Sequence, residues 1–301
     1  MKLLKNISTS ILFLLTTWSC SKSGEKPDVA PIDSLADRYK LWIQDKQDSS
    51  GFILSDKCDS VLFSGLIGSV QGVSVDLTDA MDDNGKWYRR PAKDCYATGG
   101  SKSETSRDML LGVLYYSWYN KDLTTLEKTW EYAEANDWIL GKGPEGRTKV
   151  EFWMRGTLAQ MIHVMGGKSH IERFYPTPSS LGAADGFNRH LETLHLLLRG
   201  EAYGKLGSLA KLTLRNHYNA QPQNPLYSFA HARWNDEDYG RVVSRLSEMY
   251  PMDRLPNKQD WKSPWVIERD FGADWMPDPS GSVDEHTGGT FLLVYHLLKK
   301  V

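Results

Sequence analysis

The sequence predicts an all-α domain, on three observations. Apolar residues recur three and four positions apart along most of the chain, the period of a helix face. Helical segments come in two kinds, one apolar nearly all round and one apolar along a single stripe, the marks of buried and surface helices. Strand-like alternation is confined to one short stretch.

In chain order, residues 34–44 are amphipathic and 56–70 read as buried. Residues 73–77 alternate, Asp83-Asn84-Gly85 is a turn signal, and 86–90 return, which predicts one small β-hairpin. Residues 106–119 are apolar all round, with Met109, Leu110, Leu111, Val113, Leu114, Tyr115, Tyr116 and Trp118. Residues 124–138 carry the stripe Leu126, Trp130, Ala133 and Asp137, with charges elsewhere. Residues 150–165 and 187–198 read as buried, and 205–217 as amphipathic with Leu206, Leu209 and Leu212. Residues 224–234 are rich in apolar side chains, 239–250 place Val242, Val243, Leu246 and Met249 on one face, and 287–298 are apolar. Between the last two, residues 257–284 hold prolines, glycines and tryptophans without helical period, and predict a long ordered loop.

Six buried segments therefore begin near residues 56, 106, 150, 187, 224 and 287, with amphipathic segments between several of them. This pattern resembles the (α/α)6 toroid of many glycoside hydrolases and polysaccharide lyases. The expected fold is a toroid-like helical barrel with a small β-hairpin and long loops, and an irregular helical array is the alternative. No motif repeats at the fixed period of a solenoid. Trp87-Tyr88-Arg89-Arg90-Pro91, followed by Ser103-Glu104-Thr105-Ser106-Arg107-Asp108, is similar to a pattern of uncharacterised bacterial toroid-like proteins. The likeness extends to Asn224-Pro225-Leu226 and the last apolar helix.

The N-terminus predicts export. Lys2 and Lys5 precede an apolar core over residues 7–15, too short to span a membrane. Ser19-Cys20 resembles the bacterial lipobox, with Thr17 where that motif prefers leucine; ordinary secretion is the alternative to lipidation at Cys20. The expected organisation is a signal peptide over 1–19, a Ser-, Lys-, Gly- and Pro-containing tether over 20–31, and one domain over 32–301. The protein would then sit in the cell envelope, at the periplasmic or outer face, with its lipid as the only membrane contact. Loss of Lys2 and Lys5 with the leader moves the formal charge from −2 to −4, which argues against nucleic acid as a partner. Cys58 and Cys95 are left as a candidate disulfide in an oxidising compartment, or as two buried thiols.

Candidate chemistry gathers where the buried helices begin. Arginines beside aromatic faces suit a sugar-binding wall, because rings stack on a pyranose and a guanidinium grips hydroxyls or a carboxylate. Trp87, Tyr88 and Arg89 are the wall; the bland alternative is core packing for the rings and solvation for the arginines. If the six helices run parallel, Arg107, Asn188, Asn224 and Asp284 share a substrate-binding rim with Asp108 and Glu151, the candidate general acid and base of a glycosidase. Thr105-Ser106-Arg107-Asp108 also reads as a helix cap, which alone explains Asp108. A uronate lyase would instead use His217 or Tyr88 as base, with Arg89 neutralising the carboxylate. A non-catalytic glycan-binding or scaffold module is the other functional reading.

No cofactor or metal is expected. The chain has no Gly-x-Ser-x-Gly elbow, phosphate-binding glycine loop, dinucleotide fingerprint or His-Glu-x-x-His. His190 and His195 are five apart and share no helix face, and Asp274, Asp278 and Asp284 lack the spacing of an EF-hand.

Overall fold

Each predicted helical segment forms a helix. A computed structural model describes residues 26–44, 47–53, 59–73, 75–95, 104–142, 146–170, 186–222, 224–235, 238–249 and 289–301. Helix α1 (Ala30–Gln44) begins two residues inside the expected tether, with Pro31 in its first turn, where the missing N–H is no loss. Its buried face, Ile32, Leu35, Ala36, Tyr39 and Ile43, follows the helical period and packs on the last helices of the chain.

The next segment is one buried run made of α2 (Ser60–Phe63), a π-turn (Ser64–Gly68) and α3 (Ser69–Gln71), stopped by Gly72 at φ +79°. It crosses α4 (Met109–Asn120) at unusually short range. A Cβ on Gly65 would lie 2.2 Å from the Gly112 carbonyl oxygen, and one on Gly112 would lie 2.4 Å from that of Val61. Only glycine fits on either side.

Lys121, at φ +58°, ends α4, and Asp122 caps α5 (Leu123–Ala135) by accepting from the Thr125 amide at 3.0 Å. Leu126, Thr129, Trp130 and Ala133 form the buried stripe of α5. The remaining helices are α6 (Phe152–Val164), α7 (Gly186–Tyr203), α8 (Ser208–Ala220), α9 (Pro225–Asn235), α10 (Gly240–Met249) and α11 (Gly289–Leu298).

Two expectations are corrected. The 73–90 hairpin keeps its turn, with Gly85 at φ +87°, but its ladder is a single bridge between Met81 and Trp87. Leu77–Ala80 forms a 3-10 turn there, because the Asp76 carboxylate captures the Thr78 amide at 2.9 Å. Among the described residues the two-stranded ladder lies elsewhere, between β1 (Ile139–Gly141) and β2 (Thr148–Lys149). On α8 the buried face is Ala210, Thr213, Leu214 and His217, while Leu209 and Leu212 point to solvent and Leu206 precedes the helix. His217 finds polar partners inside, which turns that face inward.

Neighbouring helices pack in a cyclic order: α2–α3 with α4, α4 with α6, α6 with α7, α7 with α9, α9 with α11, and α11 with α3. The amphipathic helices lie against this set, α5 on α4 and α6, α8 on α7 and α9, and α1 and α10 on each other and on its last members. Across the interior, Tyr115 of α4 donates to the Leu194 carbonyl of α7 at 3.0 Å. Several of the buried helices share ends. Tyr119 and Glu201, near the C-termini of α4 and α7, are hydrogen-bonded at 2.8 Å, and Gly200 of α7 packs under the Trp234 ring of α9. Among the described residues no helix is long and apolar enough to cross a membrane.

Candidate functional site

The N-terminal ends of α2, α4 and α6 meet. Arg89 is ion-paired with Asp59, the residue preceding α2, and both side chains are nearly buried. The Arg89 backbone is stitched to both sides, since its carbonyl accepts from Val61 and its amide donates to the Glu104 carbonyl, each at 3.0 Å. Glu104 binds Lys86 at 2.9 Å and accepts from the Lys142 amide at 3.3 Å. Burial pushes the Glu104 carboxyl up, but those two bonds and the lysine charges outweigh it and hold the group below its usual range. Burial likewise works against the Lys86 ammonium, and the bond to Glu104 carries it above its ordinary value.

Arg107, just before α4, reaches Glu151, just before α6, at 3.2 Å. This pair is accessible, with side chains 34% and 49% exposed. Asp108 differs. It is buried, accepts from the Met109 amide at 3.1 Å beside the Ser106 hydroxyl, and caps α4. Arg107, Asp108 and Glu151 thus come together at one edge, with Arg89 close by through Glu104.

Other predicted site residues occupy different surroundings. Trp87 is 2% exposed in a cluster with Phe52, Val61 and Met109, and its indole N–H donates to Thr129 at 2.8 Å. That corrects its expected place on a stacking wall, because the core holds both its ring faces and its polar handle. Tyr88 is half-buried between two ammonium groups, Lys86 at 4.7 Å and Lys93 at 5.7 Å from its ring centre. Asn224 is buried and caps α9, accepting from the Leu226 amide at 3.0 Å. Asn188 sits half-buried in the first turn of α7. Asp284, the 257–284 loop, the 1–19 leader, Cys20 and Cys58 lie outside the described residues. Cys95 is buried and disulfide-bonded, and its pairing with Cys58 stays a proposal.

Sequence reasoning missed a buried polar network between α7 and α8. Glu192 Oε2 lies 3.3 Å from His217 Nε2, and His217 Nδ1 lies 2.9 Å from the Thr193 hydroxyl, all three side chains being buried. The hydroxyl donates its one hydrogen to the Arg189 carbonyl at 2.9 Å, so it accepts from Nδ1–H and leaves Nε2 to face the carboxyl. Burial raises the Glu192 carboxyl, partly offset by His217 and Arg199. The available signal was a glutamate inside a segment otherwise read as wholly buried. Thr193 is fully buried, so the set is shut off from substrate. Among the described residues no three His, Cys, Asp or Glu side chains are placed to hold a metal ion.

Comparison of the chain with protein-family models, with curated proteins and with solved structures finds no match.

Proposed function

We propose that the protein is an exported, lipid-anchored envelope protein whose (α/α)6 toroid-like domain binds a glycan at the shared N-terminal ends of α2, α4 and α6. The cyclic order of helix neighbours supports the toroid-like reading. The observation that carries the function is the exposed Arg107–Glu151 pair at the meeting of α4 and α6, flanked by Arg89, Asp59 and Tyr88. A guanidinium and a carboxylate at that separation donate to and accept from sugar hydroxyls through charge-assisted bonds.

Binding is favoured over hydrolysis by the contrast between the two carboxylates. Glu151 is open to a ligand, while Asp108 is engaged by its own helix. A glycosidase using both as acid and base requires Asp108 to leave its cap, at a cost of about 1 kcal/mol. Calorimetric titration of the mature chain with soluble envelope polysaccharides tests the proposal. At least one should bind, Glu151→Gln and Arg107→Gln should weaken it about tenfold, and Asp108→Asn should leave it unchanged. Binding that is indifferent to Glu151 and Arg107 rejects the site.

A further inference from the structure

The opposite, C-terminal ends of the helices hold a second cleft, and we propose that it binds a carboxylate-bearing sugar ring, a hexuronate. The cleft has a volume of about 330 Å3 and lies among Trp118, Lys121, Glu201, Arg233 and Trp234. It thereby joins the last turns of α4, α7 and α9. A narrow apolar cavity of about 10 Å3 adjoins it and shares Glu201, Arg233 and Trp234.

Three features select the ligand. Lys121 lies 4.0 Å from the half-buried Trp118 ring centre, and Arg233 lies 5.2 Å from that of the buried Trp234, so two cations and the Trp118 ring share one wall. Neither cation has a carboxylate partner among the described residues. Lys121 and Arg233 do offset the negative ends of the helices that carry them. That effect leaves the donors of a half-buried guanidinium without a protein acceptor among the described residues, and a bidentate carboxylate matches their geometry. Glu201 is already oriented by the Tyr119 hydroxyl at 2.8 Å, and its remaining lone pairs accept from ring hydroxyls. The third feature is the Trp234 indole nitrogen, which is buried and has no hydrogen-bond partner among the described residues although its ring lines the cleft. Gly200 lets that ring lie flat, since a Cβ there would sit 2.3 Å from it. A ring with hydroxyls on its edge and one carboxylate answers all three. A neutral sugar leaves the cations unmatched, and a simple inorganic anion leaves the Trp118 ring uncovered.

This site stands apart from the α2–α4–α6 end, so its failure leaves the function proposed above untouched. Titration of the mature chain with D-glucuronate and with D-glucose, followed by ligand-observed NMR, tests it. Glucuronate should bind at least tenfold more tightly than glucose. Arg233→Gln and Lys121→Gln should each reduce that preference about tenfold while keeping the parent's circular dichroism and melting only slightly lower, and Trp118→Ala should weaken both sugars. Equal affinity for the two sugars, no binding of glucuronate, or full binding by both the Arg233 and Lys121 variants overturns the proposal.

Discussion

Replacing His195 by leucine should flatten the acid limb of the stability curve. His195 is 1% exposed on α7, with its ring edge-on to Trp153 at 4.8 Å between centres. Burial, helped by the positive charge of Arg199, pushes its pKa down from the ordinary 6.5 to about 3. The folded state therefore binds fewer protons than the unfolded one between those values. A depressed histidine contributes its stability above pH 6.5 and loses it as the pH falls. At pH 5, about 1.5 units below the unfolded value and still above the folded one, the loss is about 2 kcal/mol, at about 1.4 kcal/mol per unit. Urea unfolding at pH 7 and pH 5, by circular dichroism, measures it. The parent should lose about 2 kcal/mol more than His195→Leu between the two pH values, whatever the offset from the lost ring contact. Parallel losses would show that the unfolded chain gains no extra proton at this position, and would refute the burial argument.

Further outcomes follow from the packing and caps. Gly112→Ala and Gly65→Ala should each destabilise by about 3 kcal/mol or more in thermal unfolding, because the new methyl meets backbone that cannot step aside. Trp87→Phe should lose about 2 kcal/mol or more, from the cavity the smaller ring leaves and the lost bond to Thr129, and should leave glycan binding intact. Glu192→Gln should gain on the parent as the pH rises from 5 to 8. A raised carboxyl contributes fully below about 4.5 and loses that contribution above it, and the amide has no proton to lose. Cys20→Ser should abolish labelling of the protein by radioactive palmitate in the producing cells, whereas label retained by that variant would place the lipid elsewhere.

The helices were legible because each one's burial is written in its own period. Met109–Asn120 is apolar all round and buried, and Leu123–Ala135 shows one stripe, as its single contact face requires. What stayed hidden depended on residues far away in the chain. Trp87 reads the same whether it faces solvent or core, and its place is decided by Thr129, 42 residues on. Leu209 and Leu212 outweigh Thr213 and His217 in hydropathy, yet Glu192 and Thr193 on α7 turn the polar side of α8 inward. The 139–149 ladder is too short to show alternation. At the candidate site, the acids and arginines at the helix starts were legible by type. Which were open and which were spent as caps was not, because Ser106, Arg107 and Asp108 fit either role until Arg107 is seen to reach Glu151.

The most direct test of the glycan-binding claim is hydrogen exchange, read by mass spectrometry, on the mature chain with and without a polysaccharide it retains. Slowed exchange over residues 104–111 and 148–155, at the entries to α4 and α6, is the expected result. Unchanged exchange there, with protection elsewhere or nowhere, would contradict a glycan site at these helix ends.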